Sequence, residues 1–309
     1  MTSVAILNPR SGRGNGAKIW ARVQAQLREP YEVCETQAPG HATTLTRNAL
    51  DRGVTTVVAI GGDGTINEIV NGFFDGERAV APDARLGIIP SGTGSDLRRT
   101  LQLPSEDASL AAVLRAGYVQ SVDVMKVRYA TLNGASALRH AINIVSFGMG
   151  GLVAARAKES TRPLGGRVAY LAATLRTALT FAGRDVRLTL DGAPALEATI
   201  TNVAVGNGQF HGGGMWACPA ARLDDGLADV TLVNYLPLWR LLRSLPALYT
   251  GRVLEHPSVR SHRVRRIEAD SREPCEIELD GEPVGRLPIE VSVLPRAIRL
   301  LVPAKLCDG

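Results

Sequence analysis

The residues of this chain whose types and spacing best suit chemistry are Gly61-Gly62-Asp63-Gly64, followed by Thr65-Ile66-Asn67-Glu68. Successive glycines have no Cβ, so backbone N–H groups can approach an anion closely. Residues 66–70 read as a helix starting behind them, which adds the partial positive charge of its N-terminus. That combination makes a phosphate cradle. A carboxylate beside phosphates is repulsive unless it organises a cation or takes a proton from an attacking hydroxyl, so Asp63 points to phosphoryl transfer. A plain strand-to-helix turn with Asp63 as N-cap accounts for the same four residues without a ligand.

A second stretch favours the cradle. Leu86-Gly87-Ile88-Ile89 leads into Pro90-Ser91-Gly92-Thr93-Gly94-Ser95-Asp96 and a helix-like Leu97-Arg98-Arg99. The run 55–60 before the first loop is β-branched and apolar, as a strand buried on both faces should be. Two parallel strands would therefore deliver two glycine-rich, Asp-bearing loops to the edge where open α/β sheets bind ligands. A third loop, Asn8-Pro9-Arg10-Ser11-Gly12 through Gly16, follows a strand at 4–7 and opens a helix at 17–27. Its glycines, with Arg10, Arg13 and Lys18, suit an anion. Neither common nucleotide motif fits: Lys18 is followed by Ile19, and the glycines fall at 12, 14 and 16.

The elements that position these loops read as a doubly wound parallel domain over 1–120, with further segments at 31–34 (strand), 41–52 (helix) and Asp107–Ala116 (helix). His41 reads as a solvated first-turn residue, since no acid near it in sequence would orient it as a base. From 121 to 309 the pattern changes to alternating strands, at 141–145, 186–190, 198–206, 228–233, 264–269, 275–279 and 289–294, which predicts a second, β-rich domain. Asp123 lies just past the boundary, and two readings stand side by side: a residue facing the crevice with Asp63 and Asp96, or a solvent-facing strand residue. Stretches 166–181 and Leu238–Tyr249 have helical spacing, and the second combines Trp, Leu and Arg in a way that suits a membrane interface or a helix capping the sheet. The tail at 298–303 reads as a last strand, with its return to the first domain left open.

Composition narrows the class. Forty-five per cent hydrophobic and 21% charged residues over 309 positions fit globular domains rather than disorder. The four cysteines are scattered without a C-x-x-C, which suggests neither zinc nor a disulfide framework and fits a reducing cytoplasm. No apolar run reaches the roughly 18 residues of a spanning helix. Residues 1–120 balance, twelve basic against twelve acidic, so the whole +5 excess falls in 121–309. A basic second half suits anionic lipid headgroups; nucleic acid is disfavoured, with 5% aromatic residues and no binding motif. His211-Gly212-Gly213-Gly214 is similar to an esterase oxyanion loop, but no G-x-S-x-G elbow occurs anywhere, which argues against a hydrolase.

The series NPRSG at 8–12, GGDGTINE at 61–68 and IPSGTGSD at 89–96 resembles the diacylglycerol kinase catalytic domain family, the lipid kinases that include bacterial diacylglycerol kinases and sphingosine kinases. The resemblance covers nearly the whole chain and departs at Ser95, where the family usually has Asn. It implies an NAD kinase-like α/β domain followed by an antiparallel, sandwich-like domain, with chemistry in the cleft between them. It further implies ATP on Asn8, Pro9, Arg10, Ser11 and Gly12 and on Gly62, Asp63, Gly64, Thr65, Ile66, Asn67 and Glu68, with contacts from Thr36 and Thr93. A bridging Mg²⁺ would be organised by Asp63, with Asp96 and Asp123 in support. In the second domain, Asp225 with the carbonyls of Arg222 and Leu227 matches the family's structural magnesium site. The Asp280-Gly281-Glu282 turn would supply Glu282 as the base, with Asp280 supporting it.

The expected protein is thus a cytoplasmic lipid kinase, peripheral at the inner membrane face, meeting a lipid substrate and an anionic membrane surface; a homodimer is compatible with it. NAD kinases and sugar kinases share the GGDG loop, but the HGGGM, LDDG and DGE series follows the lipid kinase pattern. A non-catalytic nucleotide-binding module would keep the glycine loops without needing Asp63 and Glu282.

Overall fold

In the computed structural model, which describes residues 3–92, 96–159, 174 and 176–304, the strands Ser3–Leu7, Thr56–Gly61 and Arg85–Pro90 are buried along nearly their whole length. Farther on, Arg184–Leu190 and Arg266–Asp270 instead alternate between buried and more exposed residues, although the central Ile144–Gly148 is buried throughout. The first pattern belongs to a parallel sheet covered on both faces, the second to antiparallel sheets with one wet face. Thr93 and Ser95 lie outside the described residues, as do Cys307 and most of 166–175.

The chain divides into two compact units, Met1–Val124 with Pro295–Gly309, and Met125–Leu294. In the first unit the strand order is Glu32–Glu35, Ser3–Leu7, Thr56–Gly61, Arg85–Pro90, all parallel. The end of the long strand Glu282–Leu301 adds a fifth member, Arg299 and Leu300 lying beside Arg85 and Leu86. Helices Gly16–Gln24 and Asp107–Ala116 pack on one face through Trp20, Val23, Leu110 and Leu114. The tail therefore does return to the first unit. Asp123, fully buried, accepts the backbone N–H of Arg296 at 2.7 Å and so fixes the point of return. It is not the solvent-facing residue that one sequence reading allowed.

The second unit is built around Leu196–Gly206. That strand pairs antiparallel with Arg184–Leu190 through its first half, and with Ala228–Asn234 and Ile144–Gly148 through its second. Val259–Val264, Arg266–Asp270 and Glu276–Leu279 extend the sheet, and Phe147, Val203, Val205, Ile277 and Leu279 form part of the core.

Two expected strands are broken, each by a distant carboxylate. The strand expected at 141–145 is split into Ser136–Ala141 and Ile144–Gly148, because Asp280 captures the backbone N–H groups of Ile142, Asn143 and Ile144. The strand expected at 264–269 breaks at Arg265, where Asp191 Oδ1 accepts the N–H groups of Arg265 and Arg266 at 2.9 and 2.8 Å. The helix Met149–Glu159 was not expected at all, since its two glycines weaken the helical signal.

Candidate functional site

At the carboxyl ends of the parallel strands, the loops predicted to bind phosphate meet. The Asn8 amide organises the first: it donates from Nδ2 to Thr65 Oγ1 at 2.9 Å, and its Oδ1 accepts the Arg10 N–H at 3.0 Å. Ser91 Oγ donates to Ser11 Oγ at 3.1 Å, joining the first loop to the one after Arg85–Pro90. Ser91 N–H also donates to Gly61 O at 2.9 Å, and Thr36 N–H to Leu7 O at 2.8 Å. Asn8–Gly12, Thr36, Gly62–Thr65 and Ser91–Gly92 are thus held as one surface.

Its closeness depends on glycine. A Cβ on Gly12, whose φ is +57°, would collide with the Ser91 carbonyl oxygen, and one on Gly92 would come within 2.5 Å of the Gly62 Cα. No side chain fits between these backbones.

The helix behind the central loop starts at Asp63, three residues earlier than expected, and runs to Gly72. Its first intrahelical bond is Ile66 N–H to Gly62 O at 3.0 Å, so Asp63, Gly64 and Thr65 make up its first turn. Gly62, Asp63 and Gly64 are half-buried, whereas Thr65, Ile66 and Asn67 turn into the protein. Thr65, Ile66 and Asn67 therefore serve the loop by holding its shape. Glu68 faces elsewhere: its carboxylate accepts the N–H groups of Gly40 at 2.8 Å and Ala42 at 3.2 Å, capping the helix His41–Asp51. His41 Nδ1 accepts the Gln37 N–H at 3.1 Å. Asp63 Oδ2 accepts the Asp96 N–H at 3.4 Å, and Asp96 pairs with Arg99 at 2.9 Å, so the two acids share one end of the site with an arginine. Pro9 and Arg10 are exposed at its rim.

In the second unit, three loops are stitched together. Asp280 is buried in an αL conformation (φ 49°), and its carboxylate accepts three consecutive N–H groups, of Ile142 at 3.1 Å and of Asn143 and Ile144 at 3.0 Å. Asn143 donates from Nδ2 to Phe210 O at 3.0 Å, and Asn207 from Nδ2 to Ile142 O at 2.8 Å. These bonds lock the turn before Glu282 to the loop leading into Gly212–Gly214. Glu282 itself is half-buried and pairs with Leu279 across the turn. Earlier in the same hairpin, two residues before Asp280, the fully buried Glu278 accepts from Ser146 Oγ at 2.7 Å and meets His211 Nε2 at 2.6 Å. Sequence reasoning missed Asn143 and Glu278; an acid flanked by Ile277 and Leu279 in a buried strand was the available signal for Glu278.

A cavity of about 120 Å³ lies in this unit, walled by Met149, Val153, Val233, Leu236, Leu241 and Leu248, with His211 among its polar positions. The buried Cys218 and Cys275 thiols are pushed up to about 12 by desolvation, which keeps them protonated and poor nucleophiles.

The loop 222–229 carries more negative than positive charge. Asp225 Oδ1 accepts the Leu227 N–H at 3.0 Å while Oδ2 pairs with Arg263. The same arginine lies 3.7 Å from the buried Asp229. Burial pushes the Asp229 carboxyl above its usual range; Arg263 opposes this and Asp225 adds to it. Two carboxylates against one guanidinium leave room for a further cation, and a hard ion with carbonyl and water ligands fits that donor set. Among the described residues, no cluster of three or more His, Cys, Asp or Glu side chains is placed to hold a metal.

A parallel sheet with convergent glycine loops around an acid, followed by an antiparallel β unit, defines a phosphotransferase of the NAD kinase-like architecture. The comparisons agree. Residues 2–127 match the model of the diacylglycerol kinase catalytic domain, and 143–302 that of the YegS C-terminal NAD kinase beta sandwich-like domain. A "Diacylglycerol kinase" of Mycobacterium tuberculosis is 29% identical over 97% of this chain and 94% of its own. A "Probable lipid kinase YegS-like" protein of Pseudomonas aeruginosa is 33% identical over 97% and 93%. A solved diacylglycerol kinase structure from Bacillus anthracis superposes with a TM-score of 0.71 over 98% of this chain and 97% of its own, at 22% identity, a likeness of fold. The chain belongs to the diacylglycerol kinase and YegS-like lipid kinase family. It is a lipid kinase.

Proposed function

We propose that this lipid kinase transfers the terminal phosphoryl group of ATP to the primary hydroxyl of a lipid such as diacylglycerol, working as a peripheral enzyme at the inner face of the cytoplasmic membrane. The observation that carries the reading is the convergence of Asn8–Gly12, Gly62–Thr65 and Ser91–Gly92 around the half-buried carboxylate of Asp63. Backbone N–H groups of these loops and the first helical turn receive the phosphates. By family analogy, Thr36 and Thr93 add contacts. Mg²⁺, when bound, supplies neutralisation of the charge on the bridging phosphate oxygens, and Asp63 is the residue that would hold it, with Asp96 behind.

On the acceptor side, Glu282 takes the proton as the lipid oxygen bonds to phosphorus and the bond to the ADP oxygen breaks. Asp280 acts by holding the turn that presents Glu282, and Asp123 by fixing the chain's return. The apolar cavity accommodates a few methylenes of an acyl chain. Purified full-length protein with ATP and Mg²⁺ should release ADP when given a short-chain diacylglycerol, and not with NAD or a sugar phosphate. ADP release with either of the latter, or nucleotide binding with no phosphorylated lipid, would replace this reading with the corresponding rival.

A second, structural Mg²⁺ is proposed at Asp225 with the carbonyls of Arg222 and Leu227. Without nucleotide, millimolar Mg²⁺ should then raise the melting temperature of the wild type by mass action. Asp225→Ala loses the Arg263 ion pair in any case, so a lower melting point alone decides nothing; the expected result is a lost response to Mg²⁺. An unchanged response in the variant removes Asp225 from metal binding.

A further inference from the structure

The helix Leu238–Tyr249 has a buried apolar face and an exposed apolar face beside it. Leu241, Leu245 and Leu248 line the cavity, and Leu241 packs with Ala178 and Leu236. On the exposed side, at spacings of three, four and three, are Trp239, Leu242, Pro246 and Tyr249; Trp239 is 59% exposed, Leu242 42% and Tyr249 58%. An amphipathic helix covering a sheet normally turns one apolar stripe inward and a polar one outward. Here the outer stripe is apolar too, and nearby Leu179 and Tyr235 are also exposed.

The charged positions are equally one-sided. Arg240 and Arg243 flank the outer stripe, and the helix contains no acid. The Arg240 guanidinium lies 4.9 Å from the centre of the Trp239 ring, so the aromatic and the cation are presented together. An exposed Trp and Tyr, aliphatic side chains between them and arginines alongside are the composition of a helix lying in the headgroup region of an anionic bilayer. The inner face of the same helix walls the cavity, which gives a soluble partner protein no comparable reason to engage it.

We propose that Leu238–Tyr249 is the membrane-docking element of this protein, seating Trp239, Leu242 and Tyr249 in an anionic lipid surface with Arg240 and Arg243 at the phosphates. The proposal rests on the lipid kinase reading for its biological sense, but the contact itself requires neither ATP nor turnover. Docking on this face places the cavity wall against the bilayer, where a chain leaving the lipid phase meets the enzyme.

The test is co-sedimentation of the full chain with phosphatidylglycerol/phosphatidylcholine vesicles in the absence of nucleotide. Wild type should bind more as phosphatidylglycerol increases and less as salt rises, because the Debye length falls from ~10 Å at 0.1 M to ~3 Å at 1 M. The variant Trp239→Ser/Leu242→Ser/Tyr249→Ser should bind at least about tenfold more weakly. Arg240→Gln/Arg243→Gln, which leaves the apolar stripe intact, should lose the dependence on phosphatidylglycerol. Both should melt near the wild type and phosphorylate a soluble short-chain diacylglycerol at its rate. Wild type that ignores anionic vesicles, or a triple variant that binds them equally well, overturns the proposal. So does a triple variant that merely converts a wild-type dimer to a monomer, which would make the stripe a self-association surface. Vesicle binding without phosphorylation of the short-chain lipid would leave docking standing and sink the diacylglycerol reading; the reverse pair of results would do the opposite.

Discussion

Asp63→Asn is expected to fold normally and to lower kcat by roughly 10²-fold or more, equivalent to about 3 kcal/mol of transition-state stabilisation. The amide is the same size, and its oxygen can still accept the Asp96 N–H that lies 3.4 Å from the native carboxylate. The helix Asp63–Gly72 loses a favourable charge in its first turn, worth a few tenths to about 1 kcal/mol, so melting should move little. What is lost is the only negative charge among the Gly61–Gly64 positions, and with it the means of organising a cation beside the transferred phosphate. Steady-state ADP release and a melting curve on the same preparation check both halves. Near wild-type turnover would remove Asp63 from the mechanism.

The second large effect contrasts two acids two residues apart. Asp280→Ala should destabilise the protein by about 3–5 kcal/mol, because it leaves the N–H groups of Ile142, Asn143 and Ile144 without their charged acceptor in a buried position. In a chain of this size that corresponds to a fall in Tm of roughly 10 °C. Glu282→Gln, by contrast, should melt like the wild type and bind ATP, yet transfer phosphate at least about 10²-fold more slowly. A stable Asp280→Ala variant would mean that the loop 142–144 finds other acceptors. A fully active Glu282→Gln variant would require a different base.

The local geometry of the glycine loops was largely legible in the sequence, and the long-range ties were not. Buried parallel strands announce themselves as short β-branched runs, and glycines at their ends mark the loops, so Asn8–Gly12, Gly62–Asp63 and Ser91–Gly92 could be named from residue type and spacing. Glu68 fits the same motif, but its carboxylate caps a helix at Gly40, 28 residues earlier in the chain. Asp280 looked like a supporting acid in a hairpin turn; that it holds a backbone segment some 137 residues away depends on Glu276–Leu279 pairing with Ile144–Gly148. Asp123 is similar, since its partner is the Arg296 N–H at the chain's return. The apolar cavity was invisible for the same reason: its walls come from helices and strands between residues 149 and 259, and no single stretch shows it. Where sequence reasoning erred on the strands at 141–145 and 264–269, the cause was a side chain from another part of the chain competing for backbone donors.

The central claim is tested most directly by mass spectrometry of a total bacterial lipid extract incubated with full-length enzyme, ATP and Mg²⁺, beside the same incubation with Asp63→Asn. The expected result is one class of hydroxyl-bearing lipid gaining a single phosphate in the wild-type sample, stoichiometric with ADP formed, and little or none with the variant. Hydrolysis of ATP with no phosphorylated lipid, or equal product from the variant, would contradict it.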